Sequence, residues 1–372
     1  MSERAHDTIP TPEGEYFEKN RFAGLSMLIA VVAVAGLAFS LVGAVLAPKQ
    51  FAFSWLFGFT VCFALCAGCF FWTIVHHAVD AEWSVVVRRQ LENIAALFPV
   101  LAVLFIPIIL FRDHLFGWMT IPHGQDALLE SKRLYLNLPF WLGRSIFYLL
   151  FFSLAALAYR KISIAQDRDG NPANTLRMRK LAFVFLPLFA LSLSFAAYDW
   201  LAGLNYKWFS TMWGVYIFAG AAGSSMSLLV LVTTWLHNSG YLRETVTLEH
   251  YHIMGKWMLA FTVFWAYIGF SQYMLIWYAN IPEETEWFIL RNVEGWNLLS
   301  ILLMVGRFWL PFAVLLLRST KKNVKLLCYV AGWILFMQVL DMYIVVLPEL
   351  HRTGVHFHIL DLLPLVGIAA TL

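Results

Sequence analysis

Phe51-Ala52-Phe53-Ser54-Trp55-Leu56-Phe57-Gly58-Phe59-Thr60-Val61-Cys62-Phe63-Ala64-Leu65-Cys66-Ala67-Gly68-Cys69-Phe70-Phe71-Trp72-Thr73-Ile74-Val75 contains no charged residue. As a helix rising 1.5 Å per residue, it exceeds the roughly 30 Å hydrocarbon core of a bilayer. Similar runs occupy residues 22–46, 91–111, 138–159, 181–201, 211–236, 253–278, 296–317 and 324–346. A tenth begins near residue 359 and is still apolar at Leu372, which predicts a helix continuing in a longer chain. The first run is too long for a signal-peptide h-region of roughly 7–15 residues, and Glu13, Glu15 and Glu18 precede it. It is read as a span.

Composition agrees. Of 372 residues, 60% are hydrophobic and 13% charged, with a mean hydropathy of +0.70. A soluble domain carries about 25% charged residues. The net charge of +3 is too small to point to nucleic acid. Four cysteines exclude a disulfide scaffold. The expected class is all-α integral membrane, with about ten transmembrane helices.

Orientation follows from lysine and arginine in the connections. Counting from the N-terminus as zero, the even connections hold Arg4, Lys19, Arg21, Arg88, Arg89, Arg160, Lys161, Arg168, Arg177, Arg179, Lys180, Arg243, Arg318, Lys321, Lys322 and Lys325. The odd ones hold Lys49, Arg112, Lys132, Arg133, Lys207, Arg291 and Arg352. Sixteen against seven places the even side, and the N-terminus, in the cytoplasm.

Helices 2–5 and 6–9 read as two copies of one unit. Phe71-Trp72-Thr73-Ile74-Val75-His76-His77 ends the second helix and Thr234-Trp235-Leu236-His237-Asn238 ends the sixth. Gln90-Leu91-Glu92-Asn93 matches Thr247-Leu248-Glu249-His250, Gly143-Arg144 matches Gly306-Arg307, and Asp199 matches Asp341. A four-helix unit returns to its starting side, so the copies form two parallel-repeat four-helix bundles. The expected organisation is a cytoplasmic segment at 1–21, a first transmembrane helix in 22–50, bundles at 51–210 and 211–350, and the start of a final helix at 351–372.

An ionisable group inside a bilayer is costly unless paired or hydrated, so it is a functional candidate. Arg144, Asp199, Arg307 and Asp341 lie inside the predicted spans, in the outer half. The expectation is an Arg144–Asp199 pair and an Arg307–Asp341 pair at similar depth. They suit a proton path and equally a structural ion pair. A second layer lies at the cytoplasmic ends: His76, His77, Glu82 and Glu92 in the first copy, and His237, Glu249, His250, His252 and Lys256 in the second. Histidine and a desolvated carboxylate suit proton exchange near neutral pH, although both are ordinary at helix ends. Tyr198, Tyr343, Ser192, Ser194, Thr262 and Ser271 are candidate relays between the layers.

Redox and metal signals are weak. Cys62, Cys66 and Cys69 share a helix face, as small residues packing between helices do. The histidines lie at helix ends or in loops, so no haem and no metal is expected. No phosphate-binding glycine loop is found. Gly220-Ala221-Ala222-Gly223-Ser224-Ser225 is read as opening the sixth helix and allowing close packing.

The order of these features resembles the polysulfide-reductase/NrfD-like membrane subunits. The residues carrying it are His76-His77-Ala78-Val79-Asp80-Ala81-Glu82-Trp83, Tyr198-Asp199-Trp200 and Leu248-Glu249-His250-Tyr251-His252. Within that group the chain is most similar to the shorter such subunit of bacterial alternative complex III. The resemblance implies a subunit of a quinol:acceptor (cytochrome c type) oxidoreductase in the bacterial cytoplasmic membrane, with no redox centre or catalytic residue of its own. It implies a sister NrfD-like subunit, partners carrying iron–sulfur clusters and haem c, quinol as substrate of the complex, and a terminal oxidase as a candidate further partner. Two alternatives stand: a quinol-binding subunit proper, for which Asp199 is the nearest match, and a secondary transporter. Pro99, Pro107, Pro187 and Pro311 do not form the matched helix breaks a transporter would want.

Overall fold

The computed structural model describes residues 18–372. Arg4 and most of the predicted segment 1–21 lie outside the described residues. The long helices are α1 (Ala23–Leu46), α2 (Pro48–Ala78), α3 (Arg88–Leu110), α4 (Leu138–Asp169), α5 (Pro172–Trp200), α6 (Trp213–Asn238), α7 (Leu248–Ala279), α8 (Trp296–Leu316) and α9 (Val324–Val346), followed by the shorter α10 (Ile359–Thr371). Among the described residues there is no strand, and α1 to α9 are each long and apolar enough to cross a membrane. The chain therefore folds as an all-helical, multi-pass membrane protein. Successive helices alternate in direction. One face, here the basic face, carries Arg88, the α4–α5 turn and Lys321; the opposite face carries the long α3–α4 and α7–α8 connections.

Local sequence explains the ends. Asn137, Asn171 and Asn323 cap α4, α5 and α9, each side chain accepting a first-turn N–H. Gly170 closes α4 in the left-handed conformation at φ +61°. Two buried cations serve helix C-termini, where carbonyls lack intrahelical partners. Lys321 Nζ donates to the carbonyls of Leu315, Leu316 and Leu317 at the end of α8. Arg291 donates to Ile344 and Val345 at the end of α9, at 2.9 and 2.7 Å, and stacks on Trp287.

Two predicted spans are not continuous. α3 is interrupted at residues 96–97 and at Phe105, ahead of Pro99 and Pro107, whose rings cannot donate to the preceding turn. α8 widens into a π-helical turn over Met304–Trp309. Pro311 cannot donate to the Arg307 carbonyl, and the ladder rearranges there. Pro187 lies in α5 without interrupting it. The run from Gly220 is mid-helix rather than at the start, because α6 begins at Trp213.

The packing places α2, α6 and α9 innermost, while α1, the most apolar span, is the least buried. α2 contacts α5, α6, α9 and α10; α6 contacts α5, α7 and α9; α1 and α10 pack together on the outside of α2. Close approach depends on small residues, because lipid offers no hydrophobic drive between helices. A Cβ on Gly36 would lie 2.7 Å from Gly367 Cα, at the α1–α10 crossing. A Cβ on Gly68 would fall inside the Ala221 carbonyl, at the α2–α6 crossing. One turn away, Trp72 Nε1 donates to the Ala222 carbonyl at 2.9 Å.

This crossing gives a paired test. Gly68→Ala forces α2 and α6 apart and should cost about 1–3 kcal/mol, seen as a lower unfolding temperature in detergent. Gly143→Ala meets nothing within 4 Å and should leave that temperature unchanged or slightly higher. Equal behaviour of the two variants would show that the crossing is not close-packed.

Candidate functional site

Both expected Arg–Asp pairs form. Arg144 meets Asp199 in a bidentate pair, Nε to Oδ2 at 2.8 Å and Nη2 to Oδ1 at 2.7 Å. Tyr148 OH donates to the same carboxylate at 2.9 Å. The guanidinium lies over the Tyr135 ring at 3.8 Å and the Phe140 ring at 4.2 Å. Tyr135 precedes α4, and burial beside Asp199 pushes its phenol above the usual range, so it stays protonated.

The second pair is a four-helix junction. Arg307 Nη1 lies 3.1 Å from Asp341 Oδ2. Tyr216 OH from α6 donates to Asp341 Oδ1 at 2.5 Å, and Trp265 Nε1 from α7 donates to Oδ2 at 3.1 Å. Arg307 also donates to the Gln338 side chain and the Met337 carbonyl. A Cβ on Gly220 would lie 2.9 Å from Gln338 Oε1 and 3.0 Å from Arg307 Nη2. Gly220 thus makes room for the charge network rather than for a neighbouring helix.

The two pairs differ in their place along the helices and in exposure. Asp199 is one residue from the end of α5, whereas Asp341 is five residues from the end of α9. The four-residue difference is about 6 Å along a helix. The Arg144 side chain keeps 10% of its surface exposed and that of Arg307 keeps 4%. Within each pair the arginine and the aspartate meet, as the expectation of similar depth requires.

At the basic face, the first cluster is more buried than a helix end usually is. His76 and His77 are 2% and 3% exposed, in the last turn of α2. His76 packs against Trp72 and Trp83, and His77 stacks on Tyr159 at 5.3 Å. Neither ring nitrogen of His76, nor Nε2 of His77, has a hydrogen-bond partner among the described residues. Buried polar groups of this kind are ordinarily satisfied by water. Glu92 is also buried, with Arg89 Nη1 at 2.9 Å and Arg88 Nε at 3.6 Å. Glu82 is exposed and apart from this group.

The second basic-face group is dispersed, correcting its reading as one cluster. His250 Nδ1 accepts the Thr247 N–H at 3.0 Å, a capping role for α7. His252 pairs with Glu249, which is also bound by Lys322. Lys256 is exposed, and His237 lines a cavity at the end of α6.

Several relay assignments fail. Tyr198 OH donates to the Thr211 carbonyl at 2.6 Å, and Tyr148 takes the place beside Asp199. Ser271 is half-buried and bonds its own helix at Tyr267. Ser194 packs against Gly214. Ser192 and Thr262 are buried, and Ser192 Oγ has no hydrogen-bond partner among the described residues. Tyr343 OH donates to Asp361, at 3.3 Å.

Asp361 is a buried carboxylate that sequence reasoning missed. It accepts from Gln50 at 2.7 Å, Ser54 at 2.8 Å and the His358 N–H at 3.0 Å, tying α10 to α2. His351 stands nearby, and burial lowers its pKa, so it favours the neutral form. The spacing His358-Ile359-Leu360-Asp361 is a capping-box pattern and was the available signal. Nothing in sequence linked Tyr216, Trp265 or Gln338 to Asp341.

Between Asp199 and the buried histidines, the first bundle is filled by aromatic rings. Phe63 contacts Phe98, Phe152 and Trp200 at 5.7, 5.3 and 5.0 Å. Phe70 continues the stack to Tyr159 at 6.2 Å. Chemically the arrangement provides two ionisable layers separated by a largely aromatic core. Among the described residues, no three histidine, cysteine or carboxylate side chains group as a metal site would require.

Breaking one partner of the buried pair should be worse than removing both. Arg307→Met leaves Asp341 buried without its cation and should cost about 3–5 kcal/mol. Arg307→Met with Asp341→Leu should recover most of that loss, read as unfolding temperature in detergent. Arg144→Met should cost less, because its pair is less buried. A double variant no more stable than the single would show that the uncompensated charge is not the cause. No protein-family model matches the chain, and no curated protein matches it.

Proposed function

We propose that this chain is a non-redox membrane subunit of a quinol:acceptor oxidoreductase in a bacterial cytoplasmic membrane, as its resemblance to the NrfD-like subunit of alternative complex III implies. In this reading it scaffolds partners that carry iron–sulfur clusters and haem c, and it offers a proton half-path at each face. The observation that carries the proton part is the doubled Arg–Asp cluster at one face, set against the buried His76, His77 and Glu92 at the other. Each carboxylate accepts from a tyrosine hydroxyl, Tyr148 or Tyr216, so each has a proton donor beside it. The aromatic core between the layers favours two half-paths over one through-path.

The parallel repeat belongs to the same reading. α2 packs on α5 as α6 packs on α9, and the cross-contacts α5–α6 and α9–α2 exchange under a two-fold. The interruptions fall on α3 and α8, while their counterparts α7 and α4 run unbroken. A transporter with matched discontinuities is therefore less well supported. The basic face would be cytoplasmic by the positive-inside rule.

The test is purification from native membranes through a tag on this chain, with mass spectrometry, a visible spectrum and quinol oxidation. Iron–sulfur and haem proteins should co-purify. In that complex, Asp199→Asn and Glu92→Gln should retain quinol oxidation but release fewer protons per electron. A colourless chain purifying alone would defeat the complex assignment. Unchanged proton yield in both variants would defeat the half-paths.

A further inference from the structure

A cavity of about 800 Å³ opens at the basic face, where α6 ends and α7 and α9 begin. Its rim carries Lys325, His237, Asn238 and Thr247; its walls are mainly apolar and include Leu248 and Tyr329. On the floor, Thr234 Oγ1 lies 3.3 Å from both Tyr251 OH and Cys328 Sγ, so these groups satisfy one another. Among the described residues no carboxylate lines the cavity. The nearest in sequence, Glu249, is held by Lys322 and His252. Lys325 has no acidic partner among the described residues and remains available at the rim. The volume is within the range of sites for small amphiphilic ligands, roughly 300–1,000 Å³.

The geometry points to a binding site for one anionic phospholipid, its phosphate at Lys325 and His237 and an acyl chain along the wall formed by Leu248 and Tyr329. Three observations select this occupant. The cavity lies at the ends of three spans, at headgroup level. Its rim is cationic on the face where basic residues concentrate, which is where basic pockets between membrane helices take anionic headgroups. Tyr329 is 78% exposed and Leu326 beside it is also exposed, so the wall runs out onto the surface that faces lipid. A free phosphate would use the rim alone and leave the apolar wall uncovered.

Cys328 reports on this site. It lines the cavity and is half-buried, whereas Cys62, Cys66 and Cys69 are buried in α2. The experiment follows maleimide labelling of the full chain in phosphatidylcholine nanodiscs, with and without phosphatidylglycerol. Phosphatidylglycerol should slow labelling about five-fold, the equivalent of the roughly 1 kcal/mol that one basic residue contributes near an anionic surface. Lys325→Glu should abolish the slowing, while Lys256→Glu, an exposed lysine outside the cavity, should keep it. Inorganic phosphate in phosphatidylcholine should have no effect. Equal rates in both lipids would overturn the site, as would slowing that persists in Lys325→Glu or slowing by phosphate alone. Protection in pure phosphatidylcholine that disappears when residues 1–17 are removed would also overturn it, by assigning the cavity to the chain's own N-terminus.

Discussion

A guanidinium and a carboxylate withdrawn from water are each costly, and only mutual contact with further hydrogen bonds offsets that cost. The Arg307–Asp341 pair imposes this requirement on most of the second half of the protein. It draws Tyr216 from α6, Trp265 from α7 and Gln338 from α9 into one network. It also requires the absence of a side chain at Gly220, since a Cβ there would touch both Arg307 and Gln338. The π-helical turn of α8 belongs to the same arrangement. Pro311 frees the Arg307 carbonyl, and the widened turn spans the arginine itself. Removal of Arg307 or Asp341 would leave a buried charge without its partner in an interior that cannot solvate it.

The rest of the packing follows a different rule, because lipid does not reward burial of apolar surface. The most apolar helix, α1, faces outward, and the innermost helices bury small and polar residues such as Gly68, Ser224 and Gln338. Contact area is gained by close approach at Gly36–Gly367, Gly58–Leu365 and Gly68–Ala221. Interlocking aromatic rings then fill the first bundle. Helices α2–α5 thus pack around interlocking aromatic rings, while α6–α9 meet at a charged junction reaching four helices.

This difference explains what was legible in the sequence. The spans were readable because their length and lack of charge are one-dimensional properties. The two ion pairs were readable because unpaired charges inside spans demand partners, and each span pair offered one of each sign. The supporting donors were not. Tyr148 and Tyr216 look like any membrane tyrosine until helix rotation is known, and Tyr198, next to Asp199 in sequence, bonds the Thr211 carbonyl instead. The π-helical turn and the breaks in α3 were partly visible as prolines, but Pro187 shows that a proline alone does not decide an interruption. His76 and His77 were read as interfacial because they end a span. In fact α2 is central, so even its last turn is covered by Trp83 and Tyr159.

The internal asymmetry bears on how protons could move. In the first bundle, between Asp199 and the histidines, Phe63, Phe70, Phe98 and Phe152 pack against one another, and the buried hydroxyls of Ser153 and Ser192 have no hydrogen-bond partner among the described residues. In the second, α6 carries Ser224, Ser225 and Ser227 toward the basic face, all fully buried. Their hydroxyls donate to carbonyls of α6 itself, at Gly220, Ala222 and Gly223. A hydroxyl bonded to its own helix is satisfied at rest, so these serines form a polar seam rather than a wire. On the proposed reading, passage of a proton between the two layers would require side chains or helices to rearrange. The arginines reinforce this: each carboxylate is already engaged by a guanidinium and a tyrosine hydroxyl, so a new proton donor would have to displace one of them. Coupling through this chain, on the proposed reading, would have to open an ion pair, and the more exposed Arg144–Asp199 pair is the less costly one to open.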